Sequence, residues 1–217
     1  MLLLSPRSDL YVLLLFAFIP GRYDPSLLLN GPFPGGFGAD IWTFVSYALL
    51  HADLMHLGFN AIWLLAFGTP VARRFGPVRF LVFFAVTAAA GAAAHLVTHP
   101  GEMAPMVGAS ASISGAMAAS LRFAFQRGGP IFDRYGGEEA YRRPALPLRA
   151  AFFHSPVLAF IVVWFGLNYL FGIGALSLTD EVQSVAWQAH VGGFAAGLLL
   201  FGLFDPVRAT SLHRPGA

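Results

Sequence analysis

The stretch Pro105-Met-Val-Gly-Ala-Ser-Ala-Ser-Ile-Ser-Gly-Ala-Met-Ala-Ala119 is rich in small residues and carries three serines within an apolar segment. Small residues let helix backbones approach closely in a bilayer, where association depends on packing. Serines in such a helix often donate hydrogen bonds back to their own backbone, so alone they do not indicate chemistry. The stretch therefore predicts a tightly packed membrane helix that offers three candidate polar groups.

Two further apolar segments carry histidines. They are Trp187-Gln-Ala-His-Val-Gly-Gly-Phe-Ala-Ala-Gly197 and His51-Ala-Asp-Leu-Met-His-Leu-Gly-Phe-Asn60. Polar and ionisable groups inside membrane segments are costly and are functional candidates by default. Three such segments in one small chain predict a single shared site.

The composition of the chain favours a polytopic membrane protein. Of 217 residues, 57% are hydrophobic and 11% are charged, whereas soluble domains carry about 25% charged residues. The mean hydropathy is +0.66. The net charge is only +2, so the isoelectric point near 9.3 reflects few titrating groups and not a nucleic-acid-binding surface. The sequence has no cysteine, which excludes a thiol nucleophile and a thiolate metal site.

The apolar runs predict an all-α bundle of six membrane segments in one domain, residues 1–206, followed by a short cytoplasmic tail, 207–217. The first segment, 10–19, is shorter than the roughly 20 residues that a span needs, so it is either a short first helix or the remainder of a longer one. The other segments are predicted at 44–68, 78–98, 107–125, 152–171 and 182–204. A long external loop is predicted at 21–43 and a polar cytoplasmic loop at 126–150.

Arginine placement predicts the orientation of these segments. All 13 basic residues are arginines, and 11 of them fall on one side of the predicted topology. Those eleven are Arg73, Arg74, Arg79, Arg122, Arg127, Arg134, Arg142, Arg143, Arg149, Arg208 and Arg214. Because cytoplasmic loops collect basic residues, the three polar segments all enter from the outside and hold their polar groups at one depth below the outer face. The sequence thus predicts a multi-pass protein of the lipid bilayer, in the inner membrane of a bacterium.

Ser110 and His190 supply a candidate nucleophile and base. A serine becomes nucleophilic when a base removes its proton, and histidine suits that role near neutral pH. His56 and Asn60 are spaced i, i+4, so both project from one helix face and offer N–H donors to a developing oxyanion. No membrane-embedded aspartate or glutamate is available to orient His190, so the sequence predicts a dyad and not a triad. It predicts neither a metal ion nor a cofactor.

These motifs together resemble the rhomboid intramembrane serine proteases. The matching residues are Gly108-Ala-Ser-Ala111 with Ile113-Ser-Gly115, His190-Val-Gly-Gly193 with Gly197, and His51 and His56-Leu with Asn60 and Phe67-Gly68, between residues 41 and 204. The resemblance implies a six-helix fold with a water-filled cavity open to the outer side. It implies Ser110 as nucleophile, His190 as base, and His56, Asn60 and Gly108 at the oxyanion or substrate. The substrates would be transmembrane segments of other membrane proteins.

Two positions depart from the family pattern. Ala111 stands where the family usually has glycine, and Ser114 stands where some members have an aromatic residue that supports the histidine ring. The alternative is therefore an inactive rhomboid-like protein that binds membrane-protein clients. A transporter would be expected to show charged pathway residues or broken helices inside its spans. The His-Glu-x-x-His pattern of intramembrane metalloproteases and paired membrane aspartates are both absent from the sequence.

The remaining polar residues of the spans are predicted to have structural roles. Ser112 and Ser114 are expected to be packing serines, and His51 to cap a helix or stabilise a loop. Asn168 and Tyr169 could line a substrate gate, but an ordinary interhelical hydrogen bond is the expectation. His95 and His99 have the i, i+4 spacing of metal ligands, but no acidic partner appears with them, so a solvated helix end is predicted. Gly193 and Gly197 are expected to pack the last segment tightly on the segment at 107–125.

Overall fold

The fold is helical throughout the part of the chain that the computed structural model describes, which is residues 5–27, 31, 33–133, 135–173, 175 and 185–207. The helices in these ranges are α1 (Pro6–Phe16), α2 (Gly36–Ser46), α3 (Leu54–Trp63), α4 (Thr69–Phe75), α5 (Pro77–Thr98), α6 (Ser110–Leu121), α7 (Leu148–Phe152), α8 (Ser155–Gly172) and α9 (Trp187–Phe204). The predicted all-α class is confirmed.

Four of the helical segments are long and apolar enough to cross a membrane. They are Leu54–Phe75, Pro77–Thr98, Ser155–Gly172 and Trp187–Phe204. Helix α1 has 11 residues and α6 has 12. At about 1.5 Å per residue these two helices reach roughly 16–18 Å, against about 30 Å of hydrocarbon. Length thus supports four of the six predicted spans, and α1 is short, as expected from its sequence.

The segment predicted at 44–68 begins too early. Helix α2 and a following 3₁₀ turn end at Leu49, and the chain is extended at Leu50. The next helix, α3, begins at Leu54, where the carboxylate of its N-cap residue Asp53 accepts the backbone N–H of His56 at 2.7 Å. Hydropathy missed this break because the residues on both sides are apolar. Helix α2 also occupies part of the region 21–43, which was predicted as loop.

A π-helical turn, Leu64–Gly68, joins α3 to α4 in one continuous helix. Pro70 lies two residues after this turn and has no N–H to donate to it, which explains why the regular α-helical bonding pattern is interrupted there. The hydroxyl of Ser120 lies 3.3 Å from the carbonyl oxygen of Phe67 and donates to it. A side chain of α6 therefore satisfies one carbonyl of the irregular turn.

Helix α6 is the centre of the bundle. Every residue from Ala111 to Leu121 is buried. On its α9 side, Gly193 lies directly against the backbone of Ala111, and Gly197 lies against Gly115, so a side chain at either glycine would overlap α6. The predicted close packing through Gly193 and Gly197 is confirmed. This approach fixes the height of α9 relative to α6 and thus the height of His190 relative to Ser110.

At the end of α6 opposite Ser110, a buried ion pair closes the bundle. Arg74 donates through Nε and one terminal nitrogen to the two carboxylate oxygens of Asp205, each at 2.8 Å. Its other terminal nitrogen donates to the carbonyls of Tyr141 and Arg143, at 2.6 and 2.8 Å. Arg74 thereby ties α4, the end of α9 and the connection after α6 together, a structural role that its loop position did not indicate.

Candidate active site

Ser110 and His190 meet at the beginnings of their helices. Ser110 is the first residue of α6, and His190 lies in the first turn of α9. The Oγ atom of Ser110 is 2.7 Å from Nε2 of His190, a hydrogen-bond distance. Both side chains are half-buried. The two residues predicted as nucleophile and base are therefore brought together with the geometry that proton transfer requires.

Asn168 of α8 completes a chain of hydrogen bonds behind His190. Its Oδ1 atom lies 2.5 Å from Nδ1 of His190, and its Nδ2 donates to the carbonyl oxygen of Trp164 at 2.8 Å. Because a carbonyl only accepts, the Trp164 bond requires the amide nitrogen on that side and turns Oδ1 toward the imidazole. His190 must then carry its proton on Nδ1, which leaves Nε2 free to accept the Ser110 proton.

The role of Asn168 was missed from the sequence. The expected interhelical hydrogen bond of Asn168 is present, but the sequence did not indicate that its partner is His190. The amide oxygen of Asn168 lies against Nδ1 of His190, where the carboxylate of a triad would lie. Ser114 offers no aromatic ring to the imidazole of His190, and its hydroxyl donates to the carbonyl oxygen of Ser110 in its own helix at 2.7 Å. The contact from Asn168 supports the imidazole in place of such a ring.

Asn60 and His56 lie beside Gly108, ahead of the nucleophile. A Cβ atom built on Gly108 would be 2.6 Å from His56 Nε2 and 3.5 Å from Asn60 Nδ2. Gly108 has a φ of +117° and donates its N–H to the carbonyl oxygen of Tyr47 at 3.0 Å. Its N–H is therefore engaged in a structural bond. Glycine is required at this position because any side chain would be strained and would displace the His56 ring.

Asn60 carries an unused hydrogen-bond donor into this region. The residue is only 6% exposed, and among the residues that the structure describes its Nδ2 atom finds no hydrogen-bond acceptor. A buried amide without a partner is costly, and such groups occur where a ligand or transition state supplies the missing bond. The backbone N–H of Ser110, in the first turn of α6, lacks an acceptor inside its own helix.

A cavity of about 270 Å³ opens onto these groups between α3, α6, α8 and α9. Its polar lining is formed by Asn60, Ser110, Ser114, Asn168 and His190, and the remaining lining residues are apolar or aromatic. His56 and Gly108 are not among the lining residues. A few polar groups in a largely apolar cavity suit a hydrophobic ligand with one reacting polar bond.

Several neighbouring residues have structural contacts. Ser112 donates to the carbonyl of Phe84 at 2.9 Å, which agrees with its predicted packing role. The ring of His51 lies edge-on to that of His56, with centroids 5.2 Å apart. Burial, together with the neighbouring His56, lowers the pKa of His51 below its usual value. Asp53, and not His51, provides the side-chain cap of α3.

Comparison with known proteins assigns the class. A serine hydroxyl hydrogen-bonded to a histidine, between apolar helices, is the arrangement of a serine hydrolase that works within a membrane. Residues 38–205 match the family model described as Rhomboid domain. The chain belongs to the rhomboid family, a family of intramembrane serine proteases, and it is a multi-pass integral membrane protein.

Relatives that carry the family name cover much of the chain. It is 25% identical over 176 residues to rhomboid protease GlpG of Haemophilus influenzae, an alignment that covers 81% of this chain and 76% of the relative. It is 27% identical over 165 residues to rhomboid protease GlpG of Serratia proteamaculans, with 74% and 47% covered. Rhomboid protease GluP of Bacillus subtilis is 35% identical over 101 residues, with 46% and 18% covered. The chain thus matches about half the length of the Serratia protein and a smaller part of GluP.

Proposed function

We propose that this chain is a serine endopeptidase that cleaves transmembrane segments of other membrane proteins through Ser110 and His190, with Asn168 orienting His190. The observation that carries the proposal is the 2.7 Å contact between Ser110 Oγ and His190 Nε2. Family membership over residues 38–205 supports the reaction class. The relatives named as rhomboid proteases support proteolysis as the activity.

The proposed reaction has two stages. His190 Nε2 takes the hydroxyl proton while Ser110 Oγ attacks the peptide carbonyl, and the resulting oxyanion accepts hydrogen bonds from Asn60 Nδ2 and the Ser110 N–H. His190 then gives the proton to the departing amine nitrogen, which leaves an ester on Ser110. In the second stage His190 takes a proton from water, the hydroxide attacks the ester, and Ser110 recovers its proton. His56, whose ring lies against Gly108 and His51, supports this region.

The shape of the cavity supports a hydrophobic peptide as substrate. Residues of α3 and α8 line the cavity together with residues of α6 and α9, and most of them are apolar or aromatic. Helix α8 is held loosely, because only Val157 and Trp164 of its residues are buried. A substrate segment would displace α8 at low cost in packing and bring one extended peptide bond to Ser110. Water reaches the same point through the partly exposed beginnings of α6 and α9.

The orientation proposed for the chain follows from its arginines. The ion pair of Arg74 and Asp205 lies at the end of the bundle opposite Ser110. The cytoplasmic side would therefore be the Arg74 end, and the site would open to the outer side of a bacterial inner membrane. Reporter fusions after residues 75 and 140 should both report a cytoplasmic position. An external reading at 140 would reverse the proposed placement of the site.

The proposal is tested with purified full-length protein and a panel of single-span model substrates in lipid vesicles. Ser110→Ala and His190→Ala should each abolish cleavage, and the double variant should lose little more because the two residues act as a unit. Ser112→Ala is the matched control, since it removes a hydroxyl two residues away that bonds only backbone. It should retain most of the activity.

A serine-reactive phosphonate probe gives a second measurement that needs no substrate. The wild-type protein should be labelled at Ser110, and labelling should fall in the His190→Ala variant because the hydroxyl is no longer activated. If the folded wild-type protein neither reacts with the probe nor cleaves any segment of the panel, the alternative of an inactive client-binding protein replaces the protease. Loss of activity in Ser112→Ala with retention in Ser110→Ala would assign a different nucleophile.

A further inference from the structure

A second cluster of polar side chains lies at the end of α5, outside the cavity. It consists of His95, His99 and Glu102. The sequence indicated no acidic partner for the two histidines, and that interpretation is wrong. The backbone N–H of Glu102 donates to the carbonyl of His99 at 3.2 Å, and this turn returns the Glu102 carboxylate to the helix end. Its Oε2 atom lies 3.4 Å from His95 Nε2.

The three residues hold their donor atoms close enough together that small side-chain adjustments would let them bind one metal ion. One ligand atom from each residue lies within 4.8 Å of the others. Two ligands that are each about 2.1 Å from a tetrahedral zinc ion are about 3.4 Å apart, and the separation of His95 Nε2 and Glu102 Oε2 is 3.4 Å. The rings of His95 and His99 are stacked with centroids 4.5 Å apart, an arrangement that two positively charged imidazolium rings would oppose.

The ring of His99 is already oriented as a ligand would be. The hydroxyl of Thr98 donates to the carbonyl of Ala94 at 2.9 Å, so its oxygen is available to accept from His99 Nδ1, also at 2.9 Å. That bond puts the proton of a neutral His99 on Nδ1 and leaves the lone pair on Nε2. A hydrogen bond to the other ring nitrogen is how metal-binding histidines are commonly fixed in orientation.

The cluster also contains buried polar atoms whose bonding is incomplete. His95 is only 6% exposed. Within the described part of the chain, the buried Oε2 atom of Glu102 has no hydrogen-bond partner, since its 3.4 Å contact with His95 Nε2 lacks hydrogen-bond geometry. Buried atoms of this kind call for an explanation such as a bound ion or an ordered water molecule. The two imidazoles and the carboxylate, and the distances between their donor atoms, favour a bound ion over a water molecule.

We propose that His95, His99 and Glu102 form a binding site for a divalent transition-metal ion of the zinc type. Two imidazole nitrogens and one carboxylate oxygen are ligands that Zn²⁺ accepts readily, whereas Mg²⁺ and Ca²⁺ prefer oxygen alone. Three protein ligands leave the fourth position of a tetrahedral ion to water. The site goes beyond the proposed protease function and is independent of it.

A metal ion here would fix the connection that leads to the active site. The carbonyl of Glu102 accepts the N–H of Gly21 at 2.8 Å, and Met106 pairs with Phe18 through two backbone hydrogen bonds of 2.8 and 3.1 Å. The connection between α5 and α6 is therefore attached to the region before α2, and it continues directly into Gly108. An ion bound by His95, His99 and Glu102 would attach the beginning of this connection to α5.

The test uses full-length protein without a polyhistidine tag, purified in detergent and stripped of metal with a chelator. Zn²⁺ is titrated against a competing chromophoric chelator, in the wild-type protein and in Ser110→Ala. Both should bind one ion with equal affinity, because the site does not depend on protease activity. His99→Ala and Glu102→Gln should weaken binding by at least about 10- to 100-fold, since even the loss of an outer-shell partner has that effect.

His154→Ala is the matched control, because it removes a histidine outside the cluster, and it should bind Zn²⁺ like the wild-type protein. Thermal unfolding gives a second measurement: Zn²⁺ should raise the unfolding temperature of the wild-type protein but not that of Glu102→Gln, and Mg²⁺ should raise neither. Equal Zn²⁺ affinity in the wild-type protein and both cluster variants would overturn the proposal. So would the absence of Zn²⁺ binding to folded wild-type protein, which would leave an ordered water molecule as the partner of these atoms.

Discussion

The Nδ1 atom of His190 lies 2.5 Å from the Oδ1 atom of Asn168, on a helix whose side chains are mostly exposed. The position of α8 and the state of the candidate base are thereby coupled. When α8 is in place, His190 has its proton on Nδ1 and its Nε2 faces Ser110. When α8 moves outward, the imidazole loses this constraint. Under the proposed function, a substrate would therefore enter while α8 is displaced, and α8 would return to its place before His190 activates Ser110.

We expect Asn168→Ala to reduce the rate of cleavage more than the affinity for substrate. Without Oδ1 the His190 ring can rotate or change tautomer, and a misplaced catalytic group costs about 100-fold in rate. The value of kcat should fall by about that factor while KM changes little, measured with one model substrate at matched protein concentration. Asn168→Asp keeps an acceptor oxygen toward Nδ1 and should restore much of the rate.

Val162→Ala is the control for Asn168→Ala, because Val162 lies on the same helix and is 63% exposed. It should leave kcat unchanged. If Asn168→Asp is as slow as Asn168→Ala, or if the loss in Asn168→Ala is entirely a rise in KM, Asn168 shapes the cavity and does not position His190.

The side-chain amide of Asn60 predicts a larger role for this residue than for His56. Asn60 lines the cavity, and its Nδ2 has no acceptor among the described residues, whereas His56 lies against Gly108 and His51. Loss of one oxyanion donor typically costs about 100- to 1000-fold in rate. Because the Ser110 N–H remains, we expect Asn60→Ala to lose about 10- to 100-fold in kcat and His56→Ala to lose less.

The measurement compares Asn60→Ala, His56→Ala and the double variant with one substrate. Asn60→Asp is informative as well, because it is nearly isosteric but places a carboxylate where the N–H donor was. It should be at least as slow as Asn60→Ala. Full activity in the double variant would remove both residues from the oxyanion site.

The sequence predicted Ser110, His190 and Asn60 because their segments enter the membrane in the same direction, which sets their polar residues at one depth. It did not predict Asn168, because one asparagine in an apolar helix has many possible partners and only the packing of α8 on α9 selects His190. Glu102 was missed for a related reason: it is separated from His95 by a turn whose geometry hydropathy does not describe. The break before Leu54 was missed because helix, turn and helix are all apolar.

We expect Arg74→Ala to destabilise the protein strongly. The Arg74 and Asp205 side chains are 0% and 7% exposed, and removal of one partner leaves a buried charge together with the unpaired carbonyls of Tyr141 and Arg143. Breaking a buried ion pair in this way costs about 3–5 kcal/mol. The neighbouring Arg73 is the control: its side chain is 52% exposed and lies 3.8 Å from Glu138, so Arg73→Ala should cost less than about 1 kcal/mol. Thermal unfolding in detergent measures both, and equal losses would contradict the assignment.

Ala111 faces α5 and is not among the residues that line the cavity. A Cβ atom built on Gly91 would lie 2.5 Å from the Ala111 methyl and 2.8 Å from the carbonyl oxygen of Ala189. One methyl group therefore fills the space between α5 and α6, and the chain places it on α6. The departure from the family glycine is matched by the glycine across the interface.

This pairing predicts that Gly91→Ala and Ala111→Gly are coupled. Gly91→Ala alone overfills the interface and should cost about 1–3 kcal/mol, and Ala111→Gly alone should cost about 1 kcal/mol through lost helix propensity. The double variant moves the methyl from α6 to α5, so it should be more stable than the sum of the two losses predicts, by at least about 0.5 kcal/mol. The contact with the Ala189 carbonyl remains, so wild-type stability should not return. Unfolding curves of the four proteins give the coupling, and additive losses would mean that the two positions do not share this space.

Cleavage by folded Ala111→Gly should equal that of the wild-type protein, because the lost methyl never faced Ser110.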